Sequence, residues 1–211
     1  MHKMSSSKIF DSRAKEYDEW YERHRAIYSS ELKAVKAFNC HRAVEIGIGT
    51  GRFTRGTGII VGVDPSIEML KLAPKSVHLI QGVGEALPLR SKSFDCSIFI
   101  VTLCFLDNPE EALREAVRVS ERLLICMVPR ESPWGKLYSN LAERGHPFYS
   151  HAKFYTVKEV IDLASKLGAK LNKIYATLKN PPGEEVYEEP VTVTPQEAEK
   201  YGFVCMEFHV R

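Results

Sequence analysis

The feature that most constrains this 211-residue chain is a short, largely apolar run, Ala43-Val44-Glu45-Ile46, cut off by Gly47-Ile48-Gly49-Thr50-Gly51. A run of that length ended by three glycines reads as a buried strand feeding a tight turn. Glycines there accept positive φ and let a ligand approach the backbone without meeting a Cβ. The segments that follow repeat the arrangement. Strands are predicted at Ile59 to Val63, Val77 to Ile80, Phe94 to Val101 and Arg122 to Val128. Helices are predicted from Ser66 to Ala73, capped by Ser66, and from Pro109 to Ser120, where proline opens the first turn and acids follow. The run at 94–101 is apolar almost throughout, as a parallel strand covered on both faces must be.

Such repetition predicts an α/β, doubly wound, mostly parallel sheet with helices on both faces. A single domain is expected. Residues 10–38 form a helical cap in which Asp11 and Ser12 are candidate caps of the first helix. Residues 40–128 are the ligand-binding core, 129–155 a lid with weak periodicity, and 156–211 a closing helix and strands. Thr156 caps that helix, Gly168 ends it, and strands follow near Leu171 to Leu178 and Phe203 to Val210. The crossover from Gly47 to Gly58 is close to the minimum for a parallel connection, roughly 10–12 residues. Its helix is expected to be one or two turns long, leaving that face of the sheet to the leading helices.

Asp64, thirteen residues after Gly51 at the end of the next strand, is placed to accept hydrogen bonds from both ribose hydroxyls of an adenosine ligand. A dinucleotide loop follows G-x-G-x-x-G, which would require glycine at position 52. Arg52 stands there, and acidic Glu45 precedes the first glycine by two residues. An acidic mouth suits a methionine ammonium better than a pyrophosphate.

With these blocks in order, residues 40–128 resemble the class I S-adenosylmethionine-dependent methyltransferases, particularly the "type 11" small-molecule group. The resemblance rests on Val44 to Gly51, Gly62-Val63-Asp64-Pro65-Ser66, Gly84-Glu85-Ala86-Leu87-Pro88-Leu89, Ser93-Phe94-Asp95 and Asp107-Asn108-Pro109. It implies a Rossmann-like, seven-stranded sheet with an antiparallel last strand, and S-adenosylmethionine as cofactor. Glu45 and the backbone of Gly47, Gly49 and Gly51 would surround the methionine half, and Asp64 would take the ribose. Ser66 or Ile67 would flank the adenine, Gly84 and Glu85 its edge, and Ile100 and Val101 the sulfonium side. Val83 departs from the family, which often has Asp there facing the adenine amino group, so backbone or Glu85 must substitute. Ser120-Glu121 also replaces the usual Pro-Gly-Gly turn before the fifth strand.

The expected reaction is methyl transfer to a small-molecule acceptor held in line with the S–CH3 bond. Aromatics outside the sheet are candidate pocket walls: Tyr17, Trp20, Trp134, Tyr138, Phe148, Tyr149 and Phe154, with Tyr17 as the candidate cofactor cap. His146 and His151 are the candidate bases. A nucleic-acid or protein methyltransferase on the same fold stays open, though a net charge of +2 and no basic stripe argue against a nucleic-acid partner. Asn180-Pro181-Pro182-Gly183 follows the sixth strand, ends in Gly, and reads as a turn rather than an amino-methylation motif. A nicotinamide oxidoreductase, opposed by Arg52, and a non-catalytic cofactor-binding protein are the remaining alternatives.

No metal site is expected. The five cysteines (40, 96, 104, 126 and 205) show no paired spacing, and they are read as core thiols in a reducing compartment. The opening Met-His-Lys-Met-Ser-Ser-Ser reads as a tail, and neither a signal peptide nor a membrane span is visible. The chain is therefore expected to be cytoplasmic, without a membrane partner.

Overall fold

A computed structural model describes residues 6–210, so residues 1–5 of the expected tail lie outside it. Three helices lead: α1 (Ser6–Ser12), α2 (Ala14–Arg23) and α3 (Arg25–Lys36). Asp11 and Ser12 do not cap the first helix as expected. Both lie inside α1, and Asp11 reaches across to another helix.

The strands β1 (Ala43–Ile46), β2 (Ile59–Asp64), β3 (His78–Gln81), β4 (Phe94–Ile100), β5 (Ser120–Met127), β6 (Ala169–Thr177), β7 (Val191–Thr192) and β8 (Phe203–Val210) form one sheet. Their order is β3-β2-β1-β4-β5-β8-β6-β7. The first five strands pair in parallel, and β8 runs antiparallel between β5 and β6. This is the Rossmann-like arrangement expected, with two-residue β7 adding an eighth strand at the edge. Chain order reverses between β1 and β4, which opens a crevice at the carboxyl ends of the strands.

Alternation along the strands splits the core into two faces. Leu123, Ile125 and Met127 face α5 (Pro109–Val119) and α7 (Val157–Lys166) in one cluster. Leu124, Cys126 and Val128 face α3 in the other, with Ile27, Ala34, Val35 and Phe38. The expected short helix after the glycine loop is absent: residues 47–58 are turns. With so few residues to span the crossover, Ile48 and Phe53 pack directly against Tyr21 and the leading helices.

Helix starts follow local chemistry. Ser66 accepts from Met69 N at 3.2 Å to open α4 (Ile67–Leu72), and Asn108 accepts from Glu111 N to open α5. Thr156 and Glu159 complete a capping box on α7. Each such cap stabilises its helix by about 1 kcal/mol. The segment read as an aperiodic lid holds α6 (Pro133–Glu143), opened by Ser132. The four-residue α8 (Pro195–Ala198) precedes β8.

The expectation of five core thiols is corrected. Cys40 bonds Cys96 and Cys126 bonds Cys205, leaving Cys104 free. Sequence separations of 56 and 79 gave no spacing signal. Sheet register creates the second pair, Cys126 and Cys205 being partners on β5 and β8 with Cα atoms 4.0 Å apart, whereas Cys40, in the connection before β1, meets Cys96 of β4. No helix among the described residues is long and apolar enough to cross a membrane.

Candidate active site

A cavity of about 1020 Å³, counting its open mouth, lies in the crevice where chain order reverses. Its floor is the glycine loop after β1. Gly47 has φ 76°, and a Cβ built there would stand 2.2 Å from Thr102 Cγ2. Thr102 Oγ1 donates to the carbonyls of Ile100 (3.0 Å) and Gly47 (3.3 Å), tying the end of β4 to the loop. Only glycine satisfies both the backbone angle and that contact.

Asp64 ends β2 beside the loop. Its Oδ2 accepts from Gly49 N and its Oδ1 from Ser66 N, both at 2.8 Å. Burial raises its carboxyl above the ordinary range, while these two backbone donors pull it back down. An ionised carboxylate has about four lone-pair positions, so two acceptor positions remain. Glu45 is 2% exposed and pushed well up by burial, and also by the neighbouring Asp64. Its Oε2 lacks a hydrogen-bond partner, as does Thr50 Oγ1. Among the described residues only three buried side-chain polar atoms are unpartnered, and these two belong to residues lining the cavity. A buried carboxylate in that state calls for a cation.

Of the residues singled out in the sequence, Tyr17, Glu45, Gly47, Gly49, Asp64, Gly84, Glu85, Ile100 and Val101 all line the cavity. Val83 also lines it and is 46% exposed. Gly51, Ser66 and Ile67 do not. Gly51 packs toward Pro74, while Ser66 is fully buried and spends its hydroxyl on Asp11 and Met69 N. Pro65 and Met69 from the same turn take the wall position instead.

His146 and His151 also lie outside the lining. His146 stacks on Tyr149, with ring centroids 4.4 Å apart, and its Nδ1 accepts from the Phe148 and Tyr149 amides. Burial lowers its pKa. His151 ends a 3-10 turn at 149–151. Among the candidate aromatics, Tyr17 alone reaches the cavity. Trp134 is buried and donates to Asn180 O at 3.0 Å, so the 180–183 turn serves packing.

Sequence reasoning missed several wall residues. Phe10 of α1 contacts Tyr17, Phe105 and Phe148 with centroids 5.0–5.6 Å apart, roofing the cavity with rings. Arg52, read only as a missing glycine, lines the cavity and grips Asp18 and Glu22 of α2. Val101 was legible as a strand end, yet its φ of 50° was not. A β-branched residue in that region costs on the order of 1–3 kcal/mol. The turn sends the chain from β4 into the cavity wall at 102–107, held by Val101 N donating to Cys126 O at 2.8 Å.

Comparison with known proteins gives concordant results. Residues 44–122 match the family described as "Methyltransferase domain". An uncharacterised protein of Methanocaldococcus jannaschii is 38% identical over 81% of this chain and 85% of its own length. A crystal structure from Thermotoga maritima, described as an S-adenosylmethionine-dependent methyltransferase and possible histamine N-methyltransferase, superposes with a TM-score of 0.90. It is 36% identical, over 98% of this chain and 100% of that one. A magnesium protoporphyrin IX methyltransferase from Synechocystis, with bound S-adenosylhomocysteine, shares the fold at a TM-score of 0.67. Its identity is 13%, over 97% and 98% of the two chains.

Proposed function

We propose that this chain, which belongs to the S-adenosylmethionine-dependent methyltransferases, binds S-adenosylmethionine in the glycine-loop cavity and methylates a small-molecule acceptor. The observation that carries the cofactor reading is the pair of unpartnered buried atoms, Glu45 Oε2 and Thr50 Oγ1, of two residues that line the cavity. A ligand with an ammonium group supplies the cation that Glu45 lacks. Asp64 keeps two acceptor positions for vicinal hydroxyls after bonding the loop. The residues fit the group.

When bound, the cofactor supplies a methyl already activated on a sulfonium. The protein's own work is then binding, orientation and exclusion of water. Glu45, Thr50 and the glycine loop would hold the methionine end. Asp64 would hold the ribose, and Pro65, Met69 and Val83 would enclose the base with apolar surface. Ile100, Val101 and Thr102 form the wall at the switch point. Phe10, Tyr17 and Phe105 close the roof, and aromatic faces there favour a cationic centre beneath them. His146 and His151 take no part in this reading, because neither lines the cavity. The absence of a basic stripe in the sequence supports a small acceptor over a nucleic acid.

Calorimetry with S-adenosylhomocysteine and with NAD tests the cofactor assignment. Binding of the former only is expected, and Asp64→Ala should weaken it tenfold or more. Binding of NAD alone, or an unchanged affinity in Asp64→Ala, would overturn it.

A further inference from the structure

Asp11 does not line the cavity, yet it is tied to an acid that does. It sits on α1, a seven-residue helix, and helices shorter than about 12 residues need tertiary contacts to persist in water. Two contacts leave the same stretch of α1 in different directions. The Phe10 ring lines the cavity, as does Ser7 one turn earlier. The Asp11 carboxylate reaches the turn after β2, where its Oδ1 accepts from Ser66 Oγ at 2.6 Å and from Glu68 N at 3.2 Å.

Ser66 is fully buried, and a hydroxyl has one proton to give. That proton goes to Asp11, while Oγ accepts from Met69 N and the Ser66 amide donates to Asp64 Oδ1 at 2.8 Å. Asp64 Oδ2 in turn accepts from Gly49 N, also at 2.8 Å. One serine is thus held between two carboxylates, and a line of hydrogen bonds runs from α1 through Asp64 to the glycine loop. The arrangement has an electrostatic cost. The Asp11 charge disfavours ionisation of Asp64, adding to the larger effect of burial. If Asp11 acted through charge alone, its removal would favour the Asp64 carboxylate and tighten a ribose contact.

We infer that Asp11 is a positioning residue for the cofactor site: through Ser66 it fixes the Asp64 carboxylate for the ribose hydroxyls and couples that contact to the docking of α1. The inference rests on the cofactor reading of the cavity. Coupling of this kind is reciprocal, so a ligand that engages Asp64 also steadies α1 and the Phe10 ring it carries into the roof.

The test is calorimetry with S-adenosylhomocysteine and with its analogue lacking the ribose 2′-hydroxyl, on the wild type, Asp11→Ala and Asp11→Asn. The wild type should prefer S-adenosylhomocysteine at least tenfold. Asp11→Ala should bind it at least fivefold more weakly and prefer it less than threefold. A general loosening of the cavity would instead weaken both ligands alike and leave the preference intact. Asp11→Asn keeps an oxygen that accepts from Ser66 Oγ and Glu68 N, so it should restore the preference to within twofold of wild type. Hydrogen exchange at the amides of residues 9–13 should slow at least threefold with S-adenosylhomocysteine in the wild type and in Asp11→Asn, but not in Asp11→Ala. The inference is overturned if Asp11→Ala keeps the wild-type preference or binds S-adenosylhomocysteine more tightly. It is equally overturned if Asp11→Asn behaves as Asp11→Ala, or if exchange at 9–13 in the wild type ignores the ligand. A wild type that binds neither ligand, or both equally, removes the ribose role of Asp64 itself and this inference with it.

Discussion

Arg52 holds Asp18 with two guanidinium nitrogens, Nε donating to Oδ1 at 2.6 Å and an Nη to Oδ2, and a further Nη reaches Glu22. The contact joins the residue after the glycine loop to α2, the helix that carries Tyr17 and Tyr21. Those two partners raise the guanidinium's pKa, so it stays charged at any working pH. The pair is partly shielded, with side chains about 21% and 27% exposed. A fork of charge-assisted bonds in that setting contributes about 1–3 kcal/mol.

Arg52→Ala is therefore expected to loosen the cap from the loop. S-adenosylhomocysteine should dissociate at least fivefold faster, and proteolysis should cut first within residues 6–36. Stopped-flow dissociation and limited proteolysis check this; wild-type rates in both would show that the ion pair is incidental.

At Gly47 the sterics are unforgiving. Gly47→Ala places a methyl 2.2 Å from Thr102 Cγ2 at a φ of 76°. A loss of roughly 2–4 kcal/mol is expected from overpacking and backbone strain together. Adding Thr102→Ala should recover only part of it, since the strain persists. Urea unfolding of both variants measures the split, and full recovery would mean that the backbone angle costs nothing.

Stability should also respond to pH through Glu31. Its folded carboxyl is raised to about 8 against an ordinary 4.5, so the folded state keeps a proton that the unfolded chain has shed. That makes folding weaker as pH rises from about 5 to 8, by up to about 4 kcal/mol from this group. Glu45 and Asp64 are raised as well and act in the same direction. The expected signature is thus a difference: Glu31→Gln flattens the decline in Tm with pH relative to wild type. Parallel curves would remove Glu31 from the account.

The cysteine pairing has a direct readout. Denatured without reductant, the chain should expose one titratable thiol, Cys104, and after reduction all five. Each bridge closes a long loop and is expected to contribute about 2–4 kcal/mol. Reductant should therefore lower Tm by several degrees. Five thiols in the unreduced protein would dismiss both bridges.

Much of this molecule was legible before folding was considered. The Gly47–Gly51 loop, Asp64 thirteen residues on, and the Ser66, Asn108 and Thr156 caps are local devices, each written within a few residues. Periodicity announced the parallel core because strands buried on both faces must be apolar in every position. Even the scarcity of chain between Gly47 and Gly58 pointed correctly to the leading helices as cover for that face.

Other features had no local signature, because the partners are distant in sequence and meet only when the sheet forms. Register across β5 and β8 put Cys126 against Cys205. Docking of α1 put Asp11 on Ser66, turning an expected cap into a tie between helices and Phe10 into a roof. Glu31 lies buried on α3, a helix that reads as ordinary and amphipathic until the rest of the fold covers it. Backbone propensity and short spacing act over a few residues, so the primary structure alone settled the sheet, the glycine loop and Asp64. Burial and electrostatics depend on what lies within a few ångströms in space, so only packing decided which side chains face the cavity and which carboxyl is left unpaired.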